Sequence, residues 1–287
     1  SSSSSSSEAL PGEGGIPSGL WCYRIDSDRV LLGGALTDGG GFIEWLREVM
    51  GVASSHTGGE AAFAALMAEA AALNSDGGDN TEEAGERGLR VLPFLGPERS
   101  VGWHDGASGA VAGLRKGTTR AQLLRAALEA LALRLRAILE RLEPAIGAAG
   151  GSASSLGSSR SRSGSGSGSS SKATIVASGG ALAGNELWRQ IIADATGRVV
   201  VTEAESAEAT LVGAATAIAA KLKDGSVQEL AAAAAALPPR PPLPLEPVSV
   251  TRPNTAAAAR YERLYREQRA FYEQILAPSS GFMKWYA

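Results

Sequence analysis

The stretch Ser178-Gly179-Gly180-Ala181-Leu182 lies between a predicted strand and a predicted helix. The strand is predicted over 173–177, where the residues are small, apolar or β-branched. The helix is predicted to follow, because Asn185 is a suitable N-cap and apolar residues then recur at helical spacing. Two glycines at such a junction let a ligand approach the backbone, and a helix N-terminus favours an anion such as phosphate. Gly-Gly also makes ordinary turns, so the neighbouring sequence must decide between the two interpretations.

The composition excludes several classes of protein. The chain has 287 residues, is 44% hydrophobic and has a net charge of -3 without a basic stripe, which argues against a nucleic acid partner. Its one cysteine, Cys22, excludes an internal disulfide framework and a cysteine-built zinc site. No apolar run reaches the length of a membrane span, so we expect no membrane partner.

The domain organisation is predicted from shifts in composition. Residues 1–18 form a Ser/Gly-rich leader that we expect to be disordered. Because the chain opens with a serine run and not with Met, we expect a piece of a longer product or a chain that follows a removed segment. One domain is predicted over 19–227, with a low-complexity insert at 148–171, since the strand after the insert needs neighbours from both sides of it. A Pro-rich segment and a C-terminal helix, 237–287, are predicted to pack on this domain.

The order of predicted elements indicates a mixed α/β fold, with a sheet covered by helices. Strands are predicted at 20–24, 29–32, 88–95, 173–178 and 198–202, and helices at 42–49, 61–73, 119–144, 185–195, 206–223 and 261–275. The first two strands form a predicted hairpin. The long helix begins with a capping box, Thr119 and Gln122, carries a leucine stripe and is predicted to end at Pro144 and Gly147.

Several segments together match a family signature. The first part of the signature is a small residue, a bulky apolar residue and Gly-apolar, and Gly109–Leu114 matches it. The second part is a polar residue followed by an apolar–small–apolar–acid run, and Gln122–Glu129 matches it. The segments Leu92–Ser100 and Tyr261–Tyr265 fit the same pattern, although Pro97 is a departure from it. From about 21 to 272, the chain resembles the C-terminal half of the FGGY carbohydrate kinases, most closely the gluconate and xylulose kinases.

The resemblance implies a fold and a set of nucleotide contacts. The implied fold is a ribonuclease-H-like lobe of the actin-like ATPase type, present here as the second lobe only. No catalytic residue is implied in this chain, since the aspartate base belongs to the first lobe, and no metal ligand is assigned. Gly184 stands where relatives often have a polar residue that reaches adenine. The adjacent Asn185 is therefore taken to make this contact instead. The implied nucleotide-binding residues are Gly179, Gly180, Ala181, Gly40, Glu44 and Asn185.

The resemblance also implies an activity. The complete enzyme would transfer phosphate from Mg-ATP to a hydroxyl of a small sugar or sugar acid, in the cytoplasm, and a homodimer is compatible with this. Gluconate is the first substrate predicted, and xylulose or another pentulose is the alternative. A non-catalytic nucleotide-binding remnant is the other alternative, because a serine run stands before Glu8 where a phosphate-contacting Gly-Thr segment is expected.

Other polar residues have competing interpretations. Asp38 and Asp194 are the best carboxylates for magnesium, but each could instead pair with nearby backbone. For Glu98 we favour a structural role over an exposed ion pair. The cluster at 103–105 contains His104 without a second ligand at useful spacing, which is poor support for a metal site.

Overall fold

The structure, a computed structural model, describes residues 15–25, 30–73, 88–149, 173–203 and 247–276. The elements are β1 (Trp21–Arg24), β2 (Val30–Gly33), α1 (Gly39–Val49), α2 (Gly59–Ala72), β3 (Arg90–Leu92), β4 (Ala110–Ala112), α3 (Arg120–Ala149), β5 (Ile175–Ala177), α4 (Gly180–Ala183), α5 (Glu186–Thr196), β6 (Val200–Glu203), β7 (Pro247–Thr251), a 3-10 turn (Thr255–Ala257) and α6 (Ala258–Leu276). The predicted helix at 206–223, most of the 1–18 leader and most of the insert lie outside these residues.

The strands form three small sheets. Strands β1 and β2 pair antiparallel, with Trp21 opposite Gly33, which confirms the predicted hairpin. Strands β3 and β4 also pair antiparallel. The third sheet is mixed, because β6 pairs parallel with β5 and antiparallel with β7. The mixed α/β prediction is therefore confirmed, while β4 and β7 were not predicted as strands.

Helix α3 is the centre of the core. Its predicted capping box is confirmed: the Thr119 N–H donates to Gln122 Oε1 at 2.9 Å, and the Gln122 N–H donates to Thr119 Oγ1 at 3.2 Å. The leucine stripe is buried, with Leu124 1% and Leu128 0% exposed. The same core contains apolar residues of α1, α2, α5 and α6, so these helices share one hydrophobic interior.

The predicted end of α3 is wrong. The helix continues through Pro144 to Ala149 and takes in the first two residues of the predicted insert. A proline removes only its own N–H from the helical ladder, so its neighbours can continue the helix at a cost in free energy. Glu143, directly before the proline, is held by an ion pair with Arg198.

Strand β5 has neighbours from both sides of the insert, as predicted, because Ala177 is buried in the same core as α3. Strand β5 pairs with β6, and both strands follow the insert. Apolar packing joins the two sides within the described residues: Ala177 of β5, Ile191 of α5 and Val200 of β6 lie in the same core as α3. The predicted domain limits, 19–227 and 237–287, stay predictions.

Candidate nucleotide site

The glycine turn after β5 is open. Gly179 has φ 91° and ψ 150°, a backbone conformation that side-chain-bearing residues avoid. A Cβ atom placed on Gly179 or Gly180 would meet nothing within 4 Å. Gly180 then begins α4, a helix of only 4 residues. The expected anion site at a helix N-terminus is therefore weak here, because so short a helix has little dipole.

Helix α1 begins directly opposite this turn. Gly40 lies in the first turn of α1, and a Cβ atom placed on it would be 3.4 Å from the Cβ of Ala181. Two of the sequence segments that we predicted to bind nucleotide thus meet in space. This distance is an ordinary van der Waals contact, so the two segments lie close together at this point.

Asn185 separates α4 from α5 and caps α5. Its side-chain oxygen accepts a hydrogen bond from the Trp188 N–H at 2.9 Å, as an N-cap residue does. The cap occupies the amide oxygen, which leaves the side-chain NH₂ group as the donor for any ligand. The NH₂ group of Asn185 is therefore its best-placed group for the predicted contact.

Glu44 lies one helical turn after Gly40 on the same face of α1. Its carboxylate accepts a hydrogen bond from Arg47 Nη1 at 3.1 Å. Arg47 is also bound by Glu60 of α2 at 2.7 Å, and its guanidinium lies 4.2 Å from the centre of the Phe63 ring. The Glu44 side chain stays about half exposed, so it is oriented from one side and open on the other.

The segment that leads into α1 is fastened to the loop after β3. The Asp38 carboxylate accepts a hydrogen bond from the Leu95 N–H at 2.9 Å, and Thr37 Oγ1 donates to the Pro97 carbonyl at 2.6 Å. Ala35 and Ser100 exchange two further bonds, of 2.9 and 3.0 Å. The position of Gly40 is thus fixed by contacts with residues 95–100.

This loop is itself anchored by a buried carboxylate. Glu98 is 3% exposed and forms an ion pair with Arg134 of α3. Its Oε2 atom accepts a hydrogen bond from the Tyr272 hydroxyl of α6 at 2.6 Å. The backbone N–H of Glu98 donates to the His104 carbonyl at 2.9 Å. These contacts agree with the structural role that we favoured for Glu98, and they give His104 a place in the same loop.

Both predicted magnesium carboxylates accept hydrogen bonds from backbone N–H groups. Asp38 is bound to the Leu95 N–H, and Asp194 accepts hydrogen bonds from the Asn254 N–H at 2.7 Å and from Gln190 at 2.8 Å. Among the described residues, no group of three or more His, Cys, Asp or Glu side chains is placed to hold a metal ion. The alternative interpretation, pairing with backbone, is the one that these contacts support.

A cavity of about 450 Å³ lies beside α5, and several of its polar groups are already engaged. Arg125 donates to the carbonyls of Ala70 and Leu73, and Gln190 donates to the carbonyl of Arg252. Burial raises the pKa of the Asp194 carboxyl, against the two hydrogen bonds that favour its charged form. Arg125, Gln190 and Asp194 are therefore bonded to protein groups and do not form the free, convergent set that ligand sites present.

One residue at the turn was missed by sequence reasoning. Arg189 of α5 is 8% exposed, and its Nη1 atom donates to the carbonyls of Leu182 and Ala183, at 2.6 Å each. These carbonyls belong to α4, so Arg189 links the glycine turn to α5. The residue could not be found from the sequence, because an arginine seven positions after a Leu is not a recognisable pattern.

The fold and the comparisons together define the class of protein. Structures that resemble this one are sugar kinases of the actin-like ATPase fold, whose lobes contain a mixed sheet covered by helices. Residues 19–222 match the model described as the FGGY family of carbohydrate kinases, C-terminal domain. The chain therefore belongs to this family, as the resemblance predicted.

Relatives in the family have two kinds of name. A glycerol kinase of Dechloromonas aromatica is 32% identical over 192 residues, which cover 67% of this chain and 30% of that kinase. A gluconokinase of Bacillus licheniformis is 25% identical over 201 residues, which cover 68% of this chain and 32% of that kinase. The chain spans about a third of the length of these curated relatives.

Solved structures share the fold at low identity. A ligand-bound xylulose kinase from Lactobacillus acidophilus has a TM-score of 0.59 and 20% identity, with 92% of this chain and 43% of that chain covered. A glycerol kinase from Plasmodium falciparum, solved with ADP, has a TM-score of 0.54 and 15% identity, with 88% and 42% covered. Within the described part of this chain, no helix has the length and apolar character needed to cross a membrane.

Proposed function

We propose that this chain is the nucleotide-binding lobe of a kinase that transfers the γ-phosphate of ATP to a hydroxyl of a small sugar or sugar acid. The carrying observation is the junction at which Gly40 and Ala181 approach each other beside an open glycine turn. Family membership supports the same proposal. ATP or ADP would lie against the backbone of Gly179, Gly180 and Ala181, while Glu44 and Asn185 offer an acceptor and a donor.

Magnesium has no evident site among the described residues. The family chemistry uses a divalent ion with ATP, but the two best carboxylates are bound to backbone N–H groups. The lobe would therefore contribute nucleotide binding and orientation, and phosphoryl transfer depends mainly on such positioning and on charge stabilisation.

Gluconate is the first substrate that we propose, with xylulose or another pentulose as the alternative. The segments Leu20–Arg24 and Gly33–Leu36 support gluconate because they resemble gluconate kinases. The name of the Bacillus licheniformis relative supports it as well. A non-catalytic, nucleotide-binding chain is the remaining alternative, and the serine run before Glu8, where a phosphate-contacting Gly-Thr segment is expected, favours it.

A pair of glycine substitutions tests nucleotide binding. Gly180 and Gly117 both have open space around an added Cβ, so Gly180→Val and Gly117→Val are each compatible with folding. Calorimetric titration with ADP is expected to show weak binding by the native chain and by Gly117→Val. Gly180→Val is expected to lose it, because the valine would occupy the space proposed for the nucleotide. Equal binding by all three proteins would reject the site.

A further inference from the structure

Helix α4 has little to hold it in place by itself. It contains 4 residues, none of them buried, and its N-cap Gly179 provides no side-chain hydrogen bond. A single helical turn is unfavourable in isolation, because nucleation fixes several residues for one hydrogen bond. Few bonds hold the turn internally: the Ala183 and Leu182 N–H groups donate to Gly179 O at 3.0 and 3.2 Å, and the Gly184 N–H donates to Gly180 O at 3.3 Å. Contacts from outside α4 must therefore stabilise it.

Arg189 supplies the side-chain hydrogen bonds of this kind, beside the packing of the partly buried Leu182 against the core. Its Nη1 atom donates to Leu182 O and Ala183 O at 2.6 Å each, from a side chain that is 8% exposed. The last carbonyls of a helix have no partners within the helix, and a cation near them is favourable. The backbone N–H of Arg189 donates to Asn185 O at 3.1 Å, so the same residue is fixed in the first turn of α5. Arg189 thereby connects a rigid, buried helix to the exposed glycine turn.

The charge of Arg189 is used differently from that of the other buried arginines. Arg134 and Arg198 form ion pairs, with Glu98 and Glu143. No carboxylate among the described residues forms an ion pair with Arg189, whose bonds go to the carbonyls of α4. Burying a cation is costly unless it is well bonded. The burial of Arg189 therefore depends on the α4 carbonyls that accept its hydrogen bonds, and the conformation of α4 depends on Arg189.

We propose that Arg189 is a positioning residue for nucleotide binding, which holds the Gly179–Ala181 turn opposite Gly40. This inference rests on the proposed function. Without the two bonds, the turn is expected to sample many conformations, of which few face Gly40. The apparent dissociation constant rises in proportion as the binding-competent fraction falls. Loss of the two hydrogen bonds from Arg189 should therefore weaken ADP binding without any change in the atoms that touch ADP.

Arg198 offers a matched control. It is 5% exposed and also donates to a backbone carbonyl, Ala173 O at 2.9 Å, which precedes β5 at the end opposite the glycine turn. Arg189→Met and Arg198→Met both remove a buried guanidinium and keep an apolar stem. Each full-length variant would be studied by hydrogen exchange of the backbone amides of residues 182–184 and by calorimetric titration with ADP.

In Arg189→Met, the amides of residues 182–184 are expected to exchange faster. ADP is expected to bind about tenfold more weakly, because the fraction of molecules with the turn in the binding-competent conformation would fall to about a tenth. Arg198→Met is expected to change neither measurement, although it lowers thermal stability. Arg189→Lys keeps the positive charge and serves as the second variant in case Arg189→Met does not fold. Its amide exchange rates and ADP affinity are expected to lie between those of the native chain and Arg189→Met. Native-like affinity in Arg189→Met or Arg189→Lys, with ADP binding by the native chain intact, would overturn this inference alone. Absence of ADP binding by the native chain would overturn the proposed function and this inference with it.

Discussion

Glu98 is a single buried residue that anchors the loop next to the candidate nucleotide site. Its carboxylate contacts Arg134, the Tyr272 hydroxyl and the Val101 N–H, the last at 3.2 Å. The same loop holds the segment before Gly40 through Ser100. A buried ion pair adds little net stability when formed, but removing one partner leaves an uncompensated charge. The effect of a substitution at Glu98 should therefore be large.

We expect Glu98→Gln to lower the free energy of unfolding by about 3 kcal/mol, since Arg134 would then be buried without a counter-charge. Urea unfolding of the full chain measures this change. The matched control is Glu273→Gln, which breaks an exposed pair with Arg269 and should cost less than about 1 kcal/mol. Similar losses in the two variants would show that the buried network does not stabilise the loop.

Helix α6 is attached to the rest of the molecule by tyrosine hydroxyls. Three tyrosines on this helix lie near glutamates of other elements. Burial raises the pKa of each phenol, and the neighbouring carboxylate raises it further; the pairs are Tyr261 with Glu129, Tyr265 with Glu140, and Tyr272 with Glu98. The folded chain therefore keeps these protons at a pH where the unfolded chain releases them.

The stability of the chain should consequently fall in alkaline solution. Unfolded phenols ionise near pH 10, while the folded phenols stay protonated. The contribution is complete below about pH 10 and is lost as the pH rises towards the raised values of the folded state. Urea midpoints between pH 8 and 11 measure the slope. Tyr272→Phe should reduce the slope and Tyr23→Phe, an exposed control, should not; equal slopes in both variants would contradict the assignment.

The elements that were predictable from sequence are those with a strong local signal. Helix α3 has a leucine stripe and a capping box, and both are found as predicted. Strand β4, Ala110–Ala112, has 3 residues and two alanines, so its pairing with β3 depends on tertiary context that no local pattern carries. The helical conformation of Pro144 likewise runs against its own propensity.

The candidate site also contains parts that the sequence predicts and parts that it does not. The glycine turn and the start of α1 could be predicted as partners through family resemblance, and the structure brings Gly40 to Ala181. Their supports could not be predicted, because Arg189 and Glu98 act through contacts made only after folding. Backbone carbonyls are the acceptors of Arg189, and every residue has one, so no sequence pattern marks them.

At the scale of the whole molecule, the chain is much shorter than its relatives. It spans 30% of the Dechloromonas aromatica glycerol kinase and 43% of the Lactobacillus acidophilus xylulose kinase. Within the described residues, no group of three or more His, Cys, Asp or Glu side chains is placed to hold a metal ion. The proposed phosphoryl transfer therefore requires groups that this part of the chain does not show.

We expect this chain to show no sugar kinase activity alone and to gain it when fused to the N-terminal lobe of a related gluconate kinase. Phosphoryl transfer needs the acceptor and the γ-phosphate held in line, and a misplacement of about 1 Å can cost roughly a hundredfold in rate. ATP consumption would be measured with gluconate, xylulose, ribulose and glycerol, and Gly180→Val in the fusion should abolish any turnover. Turnover by the unfused chain would contradict the two-lobe proposal. A folded fusion that binds ADP but turns over none of the four substrates would favour the non-catalytic alternative.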